Sequence, residues 1–353
     1  MRLSGYLSWL CLEEGRVRRC LFRVCTARTT ALYMGACVLI AATIAVRKST
    51  SVQAAMMPIT TLSSCYSGFV CLSIFRDVRF WTILQELKRL VEVMEADVCE
   101  EVWVARTRQR IVAFSLETMA LAMVTAVNVL AHSFRSDDSL LPLWPFVPYA
   151  GPLGFPLARL FWGCALCTIL LSINYLVIAL GCATSTATGL HHALAQRLTS
   201  TASSEVLRDA VIRHQRLRHL VMDLTDFFAG QLAPVMASSF CHSLFATLQV
   251  LSNDLTTTTY TQILRVLVVF IQLSYLSQEL SDASLSLHTA AYHVASSDSV
   301  SLPEERALIL VMLTASRAPA LRCRGLGQLS LSSAGKVLRQ FYSVVNVLGG
   351  QRY

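Results

Sequence analysis

Apolar residues fall in long blocks separated by short polar punctuation. Thr29–Val46 is uncharged and stops at Arg47-Lys48, and Ser51–Phe75 carries Pro58 near one end and Arg76 just beyond the other. Ile111–Ser133 contains a single acid, Glu117. A fourth block begins near Leu157 and meets no charge between Arg159 and Arg197. That is longer than a bilayer needs, so the pattern predicts a helix running past Gly181 and Gly189 into water. Phe227–Leu251 is uncharged, and a brief turn at Ser252-Asn-Asp254 leads to Leu255–Ser277, which holds Arg265. A crossing helix takes about 20 mostly apolar residues, so these blocks predict six spans.

The polar segments between them are helical too. Residues 1–28 read as a short basic arm with an interfacial helix. Phe80–Val104 places Leu84, Leu87, Leu90, Val91 and Met94 at helical spacing, which predicts an amphipathic, water-exposed extension. Residues 197–226 hold Arg213, His214, Arg216, Arg218 and His219, and Asp282–Ser297 continues the sixth block. Prolines 142, 145, 148, 152 and 156, with Trp144, Phe146 and Tyr149, make 134–156 an aromatic loop without a long helix.

The C-terminal end has three parts. Ser301 and Glu304 are spaced for a capping box, and Leu308, Val311, Met312 and Ala315 then share one face. Arg317–Gly327 breaks the helix with Pro319, Gly325 and Gly327. A last helix over 332–350 follows. Its apolar part is about 25 Å long, enough for a thin membrane core, yet it carries Lys336, Arg339 and Asn346. Such groups are costly in lipid and should face protein or water, which suggests a pore lining. The expected architecture is all-α: one domain over 1–353 with seven transmembrane helices, a cytosolic arm (1–28), a cytosolic anchor region (278–324) and a pore helix (332–350).

Composition agrees with that class. Of 353 residues, 54% are hydrophobic and only 15% charged, a balance unusual for a soluble protein. The net charge of +8 has no aromatic–basic motif beside it, so nucleic acid is not the expected partner. Lys and Arg concentrate in 1–28, 76–110, 197–226 and 278–324, leaving Arg47, Lys48, Arg135 and Arg159 for the other side. The positive-inside rule then predicts a cytosolic N-terminus and an extracellular C-terminus.

Candidate chemistry is sparse. The 12 cysteines include Cys164-x-x-Cys167 without a second ligand pair, which favours packing over zinc. His214 and His219, like His288 and His293, are five apart where zinc helices use four, so they read as solvated or interfacial. No Ser-His-Asp set or phosphate loop occurs, and no catalytic residue, metal or cofactor is expected. Glu117 and Arg265 lie at different depths and are not expected to pair; Glu117 should meet the cytosolic extension.

The predicted orientation is opposite to that of G-protein-coupled receptors. The loop 134–156 has no cysteine, and Asn128, Asn174, Asn253 and Asn346 begin no glycosylation sequon. The chain instead resembles the insect odorant receptor family, the inverted seven-helix chemoreceptors. The matching residues are Ala290-Ala-Tyr292, Leu302-Pro303-x-x-Arg306, Leu308-Ile-Leu310-Val-Met312 with Ala315-Ser-Arg317-x-Pro319, the run from Gly325 to Leu331, and Tyr342-Ser343 with Leu348. Ile212-Arg-His214-Gln-Arg-Leu217 and Leu141-Pro-x-Trp144-x-Phe-x-Pro148 extend the likeness upstream. Gustatory receptors place Gln-Phe where Leu348-Gly349 stands, which leaves that branch second. A secondary transporter, the further alternative, calls for repeated halves and a mid-membrane acid, for which only Glu117 is available.

The resemblance implies an odorant-gated, non-selective cation channel of four subunits in the plasma membrane of a sensory dendrite, shared with a co-receptor. Each subunit would contribute its last helix to the pore. A small volatile ligand would bind in the outer half of the bundle. Depth and direction then select Met57, Ser63 and Tyr66; Val124 and Asn128; Trp162 and Leu166; and Gln262, Val266 and Phe270. For the pore, Tyr342, Val345, Asn346 and Gly349 form one stripe, in which apolar groups can gate by dewetting and Asn346 can hydrate ions.

Overall fold

The computed structural model describes residues 3–10, 35–36, 39, 66–95, 101–135, 154–200, 204–251, 257–296 and 301–350. The first predicted span lies almost wholly outside the described residues, as do most of the second and the proline-rich loop. The described part is helical except for one small hairpin. Its helices are α1 (Leu3–Leu10), α2 (66–74), α3 (Val78–Glu95), α4 (Glu101–Arg135), α5 (Gly154–Ser200), α6 (Ser204–Leu251), α7 (Thr257–Ala295), α8 (Leu302–Ala315) and α9 (Leu331–Gly350).

The four central helices contain 35, 47, 48 and 39 residues. At about 1.5 Å per residue even the shortest far exceeds a hydrocarbon core of about 30 Å, so each projects well beyond the membrane. The polar segments expected beside the spans are thus continuations of the same helices. Residues 197–226 and the fifth block, for example, belong largely to one helix, α6. The amphipathic stretch from Phe80 to Val104 falls on two described helices, with residues 96–100 outside the described residues. α3 is described to Glu95, and α4, described from Glu101, carries straight through the third span.

Within α4 and α5, Val102–Asn128 and Ile169–Ser200 are the described stretches apolar and long enough to cross a bilayer on hydropathy alone. The spans of α6 and α7 are wetter, and several of their polar groups are satisfied within their own helix. Ser239 donates to Val235 O (2.8 Å), Thr247 donates to Ser243 O (2.7 Å), and His242 Nδ1 lies 2.8 Å from Ser238 O.

α3 buries Phe80, Ile83, Leu84, Leu87, Val91 and Met94 along one stripe. Asp77 accepts the Arg79 amide at 2.9 Å and so starts this helix, while Trp81 Nε1 reaches back to the Phe75 carbonyl. At the other end Glu95 accepts the Leu3 and Ser4 amides and the Ser4 hydroxyl. A carboxylate thereby meets the positive end of α1 and docks the arm, with Leu3 and Leu7 buried in the core.

α5 packs most extensively on α7 and α4. Close approach of α4 and α5 depends on two glycines: a Cβ at Gly181 would strike the Phe114 ring, and one at Gly189 would strike the Thr107 side chain.

The capping box before α8 forms as its spacing predicts, with the Ser301 amide bonded to Glu304 at 2.9 Å. Leu308, Val311 and Ala315 are buried and Met312 packs against the core. The break after α8 contains strands not expected from the sequence: β1 (Arg322–Cys323) and β2 (Gly327–Gln328), paired antiparallel. Gly325 (φ 90°) and Gly327 (φ 80°) supply the left-handed backbone that this turn requires.

Candidate functional site

Ser330 accepts the Ser333 amide at 3.1 Å and caps the last helix, which starts at Leu331, one position before the start read from the sequence. Ala334 and Val345 are buried and Val337, Leu338 and Phe341 are half-buried, a 3–4 spacing that seats α9 on α6 and α7. The opposite face carries Lys336, Arg339, Gln340, Ser343 and Asn346, all exposed. Tyr342 is 66% exposed, whereas Val345 is 9% exposed. Of the four residues expected to share a stripe, Tyr342 and Asn346 therefore face outward, and Val345 lies along the seated edge. Gly349 is in the final turn.

The candidate ligand residues are less concentrated. Met57 and Ser63 lie outside the described residues. Tyr66 is 63% exposed at the start of α2, Val124 is exposed on α4, and Asn128 one turn later is half-buried. Trp162 and Leu166 lie on α5, and Gln262 and Val266 on α7. Phe270 is buried and meets Phe240 of α6 edge-on, with ring centres 5.4 Å apart. That contact fastens α7 to α6.

Polar contacts knit α4 to α7. Glu117 accepts from Gln272 Nε2 at 2.6 Å. Its partner is thus within the sixth span, not on the cytosolic extension as expected. Two turns closer to water, Arg110 pairs with Glu279 at 3.0 Å, and the Tyr275 hydroxyl donates to the same carboxylate at 2.7 Å. Trp103 stacks on His192 with ring centres 4.5 Å apart, and Arg106 lies over the Trp103 ring.

A second set of bonds holds the segment that leads to α9. Thr314 donates its hydroxyl to the Leu310 and Val311 carbonyls, which leaves its oxygen to accept from His214 Nε2 at 3.1 Å. His214 is therefore buried between α6 and α8, where the sequence suggested a solvated or interfacial group. Burial, and then the nearby Arg218 charge, lower its pKa to about 4. Ser284 donates to the Ala315 carbonyl at 3.1 Å, and the Leu321 amide donates to Ser277 Oγ at 2.9 Å. Burial raises the pKa of the Cys323 thiol in β1.

None of Ser277, Ser284 and Thr314 stood out in the sequence, because a serine or threonine in a helix gives no sign of a partner tens of residues away. The five-residue His214–His219 spacing was legible, but it addressed metal binding and not helix packing. Among the described residues, no three His, Cys, Asp or Glu side chains converge on a point where a metal could sit.

The comparisons with known proteins follow the same outline. The family model described as 7tm Odorant receptor matches residues 49–342. The insect olfactory receptor OR5 from Machilis hrabei superposes with a TM-score of 0.77 at 13% identity, over 94% of this chain and 88% of that one. The same receptor in complex with eugenol gives 0.77 at 13% identity, over 99% of each chain. No curated protein matches by sequence. The family consists of ligand-gated channels and not enzymes. With its model covering most of the sequence and its seven-helix fold reproduced, this chain belongs to the seven-transmembrane odorant receptor family.

Proposed function

We propose that the chain is an odorant-detecting subunit of a non-selective cation channel, assembled with a shared co-receptor as a heterotetramer in the plasma membrane of a sensory dendrite. Its N-terminus is cytosolic and its C-terminus extracellular, as the distribution of Lys and Arg favours. The observation that carries this reading is the two-sided character of α9. One face is seated on the bundle, and the other presents Lys336, Arg339, Gln340, Ser343 and Asn346 without cover from its own chain. A membrane helix with such a stripe needs water or a neighbouring subunit against it, and a central pore supplies both.

In this reading Tyr342 and Asn346 face the ion path, with Val345 and Gly349 along its edge. The ligand is a small volatile molecule, as the eugenol complex of the structural neighbour suggests. It occupies the outer bundle between the helices bearing Met57, Ser63, Tyr66, Val124, Asn128, Trp162, Leu166, Gln262, Val266 and Phe270. Such a pocket is mostly apolar with few polar groups.

The test is whole-cell recording during an odour panel, with this subunit expressed alone, with a co-receptor, and with the co-receptor alone. A cation current evoked by odour only in the pair supports the reading. Substrate-coupled flux without conductance would replace it with a carrier.

A further inference from the structure

α6 runs unbroken through its 48 residues and carries Pro234 well inside them. Proline has no amide to offer the Gly230 carbonyl, and its ring crowds that carbonyl, so one rung of the helical ladder is missing there. Two elements remote in sequence bond to the backbone on either side of this missing rung. The buried Ser67 of α2 donates its hydroxyl to the Pro234 carbonyl at 2.8 Å. From the other direction, the Arg324 amide at the tip of the hairpin donates to the Ala229 carbonyl at 2.9 Å. The Arg324 side chain lies across the same place, since a Cβ on Gly230 would sit 3.7 Å from its guanidinium carbon.

The hairpin has little freedom once it is held there. Leu329 donates to the Leu321 carbonyl at 2.8 Å, closing the hairpin, and Leu321 is tied to α7 through Ser277. Ser330, the next residue, is the N-cap of α9. A short, doubly pinned path therefore leads from the α6 backbone around Pro234 to the first turn of the last helix.

We propose that α6 flexes at Pro234 and that this flexure is the joint that positions α9 relative to the helix bearing Tyr66. Motion of α2 acts on the Pro234 carbonyl through Ser67. The angle of that flexure sets the position of the Ala229 carbonyl, and with it the hairpin and Ser330. Ser67, Pro234 and the Arg324 backbone are positioning groups that touch neither ligand nor ion. This deepens the channel reading above and relies on it for the consequence, but not for the geometry.

Hydrogen exchange on the purified full-length receptor in lipid nanodiscs tests the joint directly. Ser67→Ala and Pro234→Ala should each speed exchange of amides 321–330 by about fivefold or more, the change expected for one net hydrogen bond, while amides 176–194 of α5 keep their rates. Ser67→Thr, which keeps the hydroxyl, should restore slow exchange. Unchanged rates at 321–330, or equal acceleration throughout α5, would overturn the proposal.

The same variants, expressed with a co-receptor at matched surface levels, should alter odour-independent current by about fivefold. Wild-type-like spontaneous current in both would also refute the joint. If the wild-type pair gives no odour-evoked current at all, the channel reading fails while the exchange result still decides the joint.

Discussion

Ser277 and Leu321 stand 44 positions apart, yet the Ser277 hydroxyl receives the Leu321 amide at 2.9 Å, and both residues are completely buried. This bond lies where the sixth membrane helix meets the hairpin before the last one. A buried amide must find a partner, so the serine is a structural requirement of the hairpin.

Ser277→Ala leaves that amide without an acceptor. The expected loss is about 1–3 kcal/mol, the cost of an unsatisfied buried donor. Thermal unfolding of the purified receptor, followed by tryptophan fluorescence, should show a lower midpoint. An unchanged midpoint would mean that water reaches Leu321.

His214 predicts a dependence on pH. Its folded pKa is held to about 4, below the ordinary value of 6.5, by burial and by Arg218. The unfolded chain therefore binds the proton first as pH falls. The stabilisation is complete above about 6.5 and is lost as pH drops towards about 4, by on the order of 2–3 kcal/mol. Melting curves across that window should show the decline, and His214→Gln should flatten part of it.

Gly189→Val puts a branched side chain where Thr107 already sits. Overpacking of this kind costs about 1–3 kcal/mol or pushes the helices apart. Surface labelling should find less receptor at the membrane, and Thr107→Ala should recover part of the loss.

The Arg110–Glu279 pair joins two helices at 3.0 Å, but the arginine side chain is 43% exposed. A pair so open to solvent contributes about 0–1 kcal/mol. A double-mutant cycle with Arg110→Gln and Glu279→Gln should give a coupling within that range, reduced further in high salt.

On the pore reading, Asn346→Ala should change single-channel conductance or ion selectivity with little change in the odour concentration for half response. Phe270→Ala removes a buried ring at the α6–α7 contact and should cost about 3–5 kcal/mol, read as loss of surface expression irrespective of odour.

Much was legible along the chain because it depends on nearest neighbours and on solvent. Long uncharged blocks specify membrane helices wherever they occur. The Ser301–Glu304 box declares a helix start, and the spacing of Leu308, Val311 and Ala315 declares its buried face. Spaced matches in the C-terminal third were enough to indicate the family.

Other features depended on what lies across a gap that sequence distance does not measure. The outward turn of Tyr342 and Asn346 beside a seated Val345 is set by the helices under α9. The burial of His214 follows from α8 folding over it, and the Glu117–Gln272 bond follows from the register of α4 against α7. Pro234 lay unremarked inside the fifth block, and only the fold shows that α2 and the hairpin bond beside it. Periodicity says which face of a helix is apolar, and only packing decides which hydroxyl or amide meets it.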